Sequence, residues 1–224
     1  MSRRRVYLMR HAQVTYFGEG GRPFEPEAVA LTDEGREQAR AAATTLAGIA
    51  FDRVVTSGLP RTVETARLVA GERDPERWPE LRELEGGRLG DIPEDDLETA
   101  FTAAARGIVP EETRFLGGET IGELFDRVLP ALERLLADPD WDIVLAVLHG
   151  GVNRALLSYA LTGGRTYIGN IEQAPACINV LDVGPEWVVR AIGVTPYDLP
   201  HLSGRATTME QFLEQYRPYR TSLP

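Results

Sequence analysis

Short apolar runs alternate with helical patterns along much of the chain. Residues 6–9, 54–55 and 143–148 are continuously apolar, which is typical of strands buried on both faces of a parallel sheet. The alternation predicts an α/β fold, a three-layer sandwich with a central, mostly parallel sheet flanked by helices. The helix starts between the runs carry an N-cap at Thr32, a proline at Pro60 and a capping box at Thr120 and Glu123.

The second half of the chain adds a helical insertion and a closing pair of strands. Residues 86–139 are acidic and helix-prone, and we interpret them as a helical insertion in one domain that spans residues 1–224. A predicted helix over residues 152–161 is followed by apolar stretches at 176–183 and 187–194, which are joined by a Gly-Pro turn. These stretches predict two strands that close the sheet.

Composition and cysteine content limit the class of protein. With 224 residues, 43% of them hydrophobic, the chain can bury one substantial core. No run approaches the roughly 18 apolar residues of a membrane span. The apolar run after the basic start is shorter than the ~7–15 residues of a secretory signal. The single cysteine, Cys177, excludes an internal disulfide. We expect a cytoplasmic protein without a membrane partner, and monomer and dimer both stay open.

The charged residues limit the chemistry further. The net charge is −10, so the surface as a whole repels nucleic acid, and no nucleic-acid partner is expected. The chain contains no lysine, which excludes the lysine-dependent chemistry of P-loop enzymes, kinases and Schiff-base enzymes. An anionic substrate must therefore be held by arginine, histidine and backbone amides.

Arginine and histidine residues cluster where the predicted strands end. Arg10-His11 follows the first run, and Arg61 lies in the segment after the second. His149-Gly150 directly follows the third. Because ligands bind beyond the carboxyl ends of parallel strands, we expect these residues to meet in one crevice. Two arginines, two histidines and a glycine-rich helix start suit a tetrahedral dianion.

The groups in such a crevice predict phosphate chemistry without a metal. A neutral imidazole can attack phosphorus, while two arginines and a second histidine, whose protonation state stays open, would spread the charge of the transition state. No His-x-x-x-His spacing or aspartate cluster indicates a metal site. A leaving alkoxide needs a proton, and the candidate donors are Glu83 and Glu85, in a context typical of the end of a strand.

Four segments of the chain, taken together and in order, are more specific than any one of them alone. They are Leu8-Met9-Arg10-His11-Ala12-Gln13, residues 31–39, residues 56–66 and Leu148-His149-Gly150-Gly151-Val152-Asn153-Arg154. In this order they resemble the Arg-His motif, first helix, second-arginine segment and second-histidine motif of the histidine phosphatase superfamily, also called the phosphoglycerate-mutase-like family.

The resemblance implies a phosphohistidine intermediate and assigns a role to each matching residue. His11 would be the nucleophile, and the phosphate would be held by Arg10, Arg61 and His149. Glu83 would be the proton donor, preferred to Glu85 because Gly87 then stands at the family spacing. No cofactor and no metal is implied. The candidate substrate-binding residues are Gln13, Gly150, Glu119 and Arg88, of which Glu119 lies in a segment similar to a family motif at the substrate entrance.

Departures from the family pattern leave the substrate open. Ala12 replaces the usual glycine, and Phe17 stands where many members carry a phosphate-contacting asparagine. The leading hypothesis is a phosphatase acting on a small phosphorylated metabolite. The second is a phosphoglycerate-type mutase, although the Asn-Glu-Arg-His-Tyr-Gly sequence of the mutases is absent. The third is a catalytically silent phospholigand-binding regulator, although neither the nucleophile nor an arginine is lost.

Overall fold

A computed structural model describes residues 3–71, 73–202 and 204–222. Its core is a mixed, mostly parallel six-stranded sheet, which confirms the predicted fold class. The strands are β1 (Arg4–Arg10), β2 (Arg53–Thr56), β3 (Glu76–Arg77), β4 (Ile108–Val109), β5 (Ile143–Leu148), β6 (Tyr167–Ile168), β7 (Ile178–Val183) and β8 (Val188–Val194). The α-helices are α1 (Asp33–Thr45), α2 (Pro60–Ala70), α3 (Leu97–Thr102), α4 (Ile121–Ala137), α5 (Gly150–Thr162) and α6 (Thr208–Ser222).

The order of strands in the main sheet is β3-β2-β5-β1-β7-β8. The four strands from β3 to β1 are parallel, and β7 and β8 add the predicted closing pair in antiparallel orientation. The register sets Arg10 opposite Leu148, and the His11 amide donates to the Leu148 carbonyl at 2.9 Å. The residues that follow β1 and β5 therefore leave the sheet side by side.

Two hydrophobic clusters cover the two faces of this sheet. One contains the buried sides of α4 and α5, and the other contains those of α1 and α2. The predicted helix starts are observed: Thr32 accepts from the Gly35 amide, and Thr120 and Glu123 form a reciprocal capping box. Helix α5 begins at Gly150, two residues before the predicted start, so its N-terminus lies directly after His149.

The residues predicted as a helical insertion occupy two places. Helix α4 packs on the sheet as part of the main core. The shorter α3 packs instead against α6, which was not predicted, in a third cluster that includes Phe101, Leu213 and Tyr216. Helix α6 starts with a capping box between Thr207 and Glu210. Its one interior proline, Pro218, obscures the helical pattern in the sequence.

Candidate active site

The two histidines that end apolar runs lie next to each other. Their ring centroids are 5.2 Å apart, and both side chains are buried. The parallel pairing of β1 with β5 causes this contact, because each histidine follows the last residue of its strand. The two histidines that were predicted to meet are therefore in contact.

The orientation of His11 leaves one ring nitrogen available for attack. Its Nδ1 lies 2.8 Å from the Ala12 carbonyl oxygen, which can only accept, so Nδ1 must carry the proton in this bond. The lone pair then resides on Nε2. Burial, followed by the charges of Arg10 and Arg61, lowers the pKa of His11 well below its usual value. The imidazole is therefore neutral, the form that can act as a nucleophile.

A hydrogen-bond chain sets the tautomer of His149. Its Nε2 lies 2.8 Å from Ser57 Oγ, which lies 3.1 Å from Thr62 Oγ1. Thr62 donates its one hydroxyl proton to the Leu59 carbonyl, so Ser57 donates to Thr62 and accepts from His149 Nε2. Burial, then the charges of His11 and Arg61, lower the pKa of His149 well below its usual value. This histidine is therefore neutral in the free protein, a state that the sequence had left open.

Two buried arginines flank the histidines. Arg10 ends β1 and donates to the Gln173 carbonyl and to the Thr208 hydroxyl, at 2.5 and 3.1 Å. Arg61 lies in the first turn of α2 and donates to the Pro26 carbonyl at 2.6 Å. The Nε atoms of both arginines are buried without a partner, as is Nδ1 of His149. Buried donors are normally paired, so two unpartnered arginine Nε–H groups beside one imidazole indicate an anion site. In this tautomer His149 Nδ1 carries a lone pair, so it can donate to an anion only after it takes up a proton.

Glu83 is held against the start of α5. Its carboxylate accepts from the Gly151 amide at 3.0 Å and from the Leu84 amide at 3.0 Å. It follows a short 3-10 turn rather than the end of a strand, which corrects the expected local structure. A methyl group added to Gly150 would lie 3.7 Å from both Glu83 Oε2 and Arg10 Nε, so these two side chains converge beside the helix N-terminus.

Glu119 supports the loop that carries Glu83. Its carboxylate pairs with Arg127 at 2.6 Å and accepts from the Glu85 amide at 3.0 Å. Arg127 also donates to the carbonyls of Glu80, Arg82 and Glu83, at 2.7 to 3.2 Å. Glu119 lines the cavity described below, but its own bonds are to the protein.

The other predicted substrate-binding residues have different positions. Gln13 is bonded to the Thr32 hydroxyl and does not line the cavity, so the structure does not bring it to the site. Gly150 and Arg88 do line it, and the exposed Arg88 side chain has no hydrogen bond or ion pair with any described residue. Arg154 and Thr208 also line the cavity and were missed. Arg154 had a signal, since a cation near a helix N-terminus is unfavourable without a special role.

The site opens into a cavity of about 1080 Å³. Nine of the 17 Trp, Tyr and Phe residues in the chain line this cavity. In the described part of the chain, no three His, Cys, Asp or Glu side chains are grouped closely enough to hold a metal ion. Likewise, the described helices include none that is long and apolar enough to cross a membrane.

Comparison with known proteins places this site in a family. The profile of the histidine phosphatase superfamily (branch 1) matches residues 6–194, and the chain belongs to this superfamily. It is 30% identical over 189 residues to the wheat 2-carboxy-D-arabinitol-1-phosphatase, covering 82% of this chain and 38% of that protein. It is 33% identical over 163 residues to an Enterobacter protein named "Probable phosphoglycerate mutase", covering 70% of this chain and 74% of that one.

Solved structures have the same fold. The mycobacterial glucosyl-3-phosphoglycerate phosphatase superposes with a TM-score of 0.66 at 24% identity, covering 85% of this chain and 99% of that chain. The chain spans only about two-fifths of the two plant arabinitol-phosphatase relatives, 38% of one and 40% of the other. The relatives thus include phosphatases of small metabolites and mutase-like proteins.

Proposed function

We propose that this protein is a metal-independent phosphatase that hydrolyses phosphomonoesters of small metabolites through a phosphohistidine on His11. The observation that carries the proposal is the pair of buried, unpartnered Nε–H groups of Arg10 and Arg61 beside a neutral imidazole whose Nε2 holds the lone pair. Such an arrangement offers fixed charge and hydrogen bonds to a phosphoryl group during transfer. A cytoplasmic location, expected from the sequence, fits this activity.

The proposed reaction has two steps. His11 Nε2 attacks phosphorus, the N–P bond forms, and the bond from phosphorus to the ester oxygen breaks. Glu83, in its protonated form, gives the leaving oxygen its proton. Water then attacks the phosphohistidine, Glu83 takes a proton from that water, and the N–P bond breaks to release phosphate. Arg10 and Arg61 stay charged throughout and offset the charge on the phosphoryl oxygens.

The pairing of the outer arginines favours a phosphatase over a mutase. A mutase must hold a second anionic group close to the phosphohistidine. Of the cavity arginines beyond the phosphate site, Arg127 is paired with Glu119, Arg154 with Glu172 at 3.4 Å, and Arg82 with Glu27 at 3.2 Å. Among the described residues of this outer set, the exposed Arg88 alone keeps an unpaired charge. The retained nucleophile and arginines favour an enzyme over a silent binding protein.

The proposal is tested by phosphate release and by labelling. With chelator present, the protein should release phosphate from a panel of phosphomonoesters, and 32P-labelled substrate should label the protein on histidine. His11→Ala should lose both signals, with turnover reduced about 10⁴-fold or more. The matched control is His201→Asn, which changes the third, exposed histidine at a position with φ of 52°, where asparagine is tolerated.

Two results would contradict the proposal. The phosphatase hypothesis is wrong if no ester releases phosphate above the His11→Ala background. The mutase becomes the better assignment if 3-phosphoglycerate is converted to 2-phosphoglycerate faster than it is hydrolysed.

A further inference from the structure

The outer part of the cavity has a continuous wall of aromatic rings. Tyr16 and Phe17 come from the segment after β1, and Phe212, Tyr216 and Tyr219 come from α6; we call these five residues the aromatic wall. Ring centroids lie 5.1 Å apart for Tyr16 and Phe212, 6.1 Å for Phe17 and Phe212, and 6.0 Å for Tyr216 and Tyr219. These separations are those of interacting aromatic pairs.

The aromatic wall is continuous with the phosphate site. The guanidinium carbon of Arg61 lies 5.7 Å from the centroid of the Tyr16 ring. Arg10 donates to the hydroxyl of Thr208, the first residue of α6. A substrate whose phosphoryl group lies at His11 therefore has these rings beside the next part of the molecule.

The wall is more than the packing that anchors α6. Tyr216 is 1% exposed and belongs to the core beneath α6, together with Phe101. Phe17, Phe212 and Tyr219 are only partly buried and face the cavity. Partly exposed rings beside a cavity of about 1080 Å³ leave apolar surface for a ligand to cover, and the phosphoryl group alone fills a small part of that volume.

The charges around the wall favour an uncharged ligand group. Arg82, Arg127 and Arg154 are each paired with a carboxylate, and the carboxylates of Glu25 and Glu85 also line the cavity. A carboxylate or second phosphate in the outer cavity would therefore meet few free positive charges.

We propose that the substrates are phosphomonoesters of uncharged alcohols that carry a flat aromatic group, and that the aromatic wall binds this group. The inference rests on the proposed phosphatase function and names its substrate class. The ester oxygen leaves from phosphorus with a proton, water supplies the oxygen and proton of the released phosphate, and the aromatic alcohol dissociates from the wall.

Three esters of primary alcohols test the class: ethyl, octyl and 2-phenylethyl phosphate. Their leaving groups have similar reactivity, so differences in kcat/KM report binding of the alcohol. The 2-phenylethyl ester is expected to exceed the ethyl ester by about tenfold or more, from burial of the ring. It is expected to exceed the octyl ester, which has the same number of carbons, by about threefold.

A substitution in the wall separates aromatic from general apolar binding. Phe212→Leu keeps an apolar side chain but removes the ring, so the 2-phenylethyl to octyl ratio is expected to fall about threefold. The control is Gln211→Ala, which changes the exposed neighbour on α6 and should leave the ratio unaltered. Thermal melting of both variants checks that α6 stays folded.

The outcomes distinguish this inference from the proposed function. Equal kcat/KM for all three esters, with turnover that depends on His11, would overturn the aromatic class while leaving the phosphatase in place. An octyl ester that matches or exceeds the 2-phenylethyl ester, or a Phe212→Leu ratio equal to that of the wild type, would also overturn it. Absence of turnover with every ester would contradict the phosphatase itself.

Discussion

The inner and outer halves of the cavity are built in different ways. The inner half is lined by Arg10, which directly precedes His11, and strand register sets His11 beside His149. The outer half is the aromatic wall, whose larger part comes from α6, beyond residue 194 where the family match ends. In the proposed phosphatase, phosphate chemistry would depend on the shared sheet, while the choice of alcohol would depend on segments outside the family match.

After His11→Ala, the largest effect on the inner half is expected from Glu83→Gln. The amide keeps the size of the side chain but cannot give a proton to a leaving alkoxide, so kcat for ethyl phosphate should fall about 10²–10³-fold. With 4-nitrophenyl phosphate, whose leaving group needs no proton, the loss should be less than about tenfold. Steady-state assays of the two esters measure this difference. Equal losses with both esters would show that Glu83 positions the substrate instead of donating a proton.

Between pH 7.5 and 5, stability should respond to pH chiefly through the two buried histidines of the inner half. His11 and His149 have lowered pKa values in the folded protein, so below about pH 6.5 the unfolded chain binds more protons and stability falls. Each histidine contributes a loss of up to about 1.4 kcal/mol per pH unit as pH falls below that value. Urea unfolding from pH 7.5 to 5 measures the slope, which His149→Gln should reduce.

The control for this slope is an exposed position that does not titrate. Gln211→Ala should have the same pH dependence as the wild type. If His149→Gln retains the full slope, the buried histidines are not the groups whose titration lowers stability.

Gly151→Ala tests how closely the inner half is packed. The new methyl group would lie 2.6 Å from Glu83 Oε1 and 2.8 Å from Leu84 Cδ1, so the carboxylate must move. We expect kcat for alkyl phosphates to fall about tenfold, as for other small displacements of a catalytic group. The matched control is Gly164→Ala, where no heavy atom lies within 4 Å of the new methyl. Equal activity of the two variants would contradict the assigned position of Glu83.

The inner half was predictable from sequence because its signals are local. The apolar runs of β1 and β5 end at Arg10-His11 and at His149, and parallel pairing brings these ends together. The outer half depends on contacts between distant segments. No local pattern in the sequence indicates that Phe17 contacts Phe212 or that Arg154 pairs with Glu172, since these contacts form only when α6 and α5 pack.

The smallest effect predicted for the inner half concerns the one described hydrogen bond that joins Arg10 to α6. The Thr208 hydroxyl accepts from Arg10 at 3.1 Å and donates to Glu172 at 2.9 Å, so it helps to orient the guanidinium. Thr208→Val keeps the shape and removes the hydroxyl, and kcat/KM should fall about threefold to tenfold, the worth of one ordinary hydrogen bond. Thr208→Ser should restore it.

The loss of activity with different substrates distinguishes two roles for Thr208. Because it acts through Arg10 on the phosphoryl group, the loss in Thr208→Val should be equal for ethyl and 2-phenylethyl phosphate, whereas Phe212→Leu should affect the aromatic ester more. A Thr208→Val loss confined to the aromatic ester would instead assign this residue to the aromatic wall. In that case α6 would affect only the choice of alcohol, and its hydrogen bond to Arg10 would have no measurable effect on turnover.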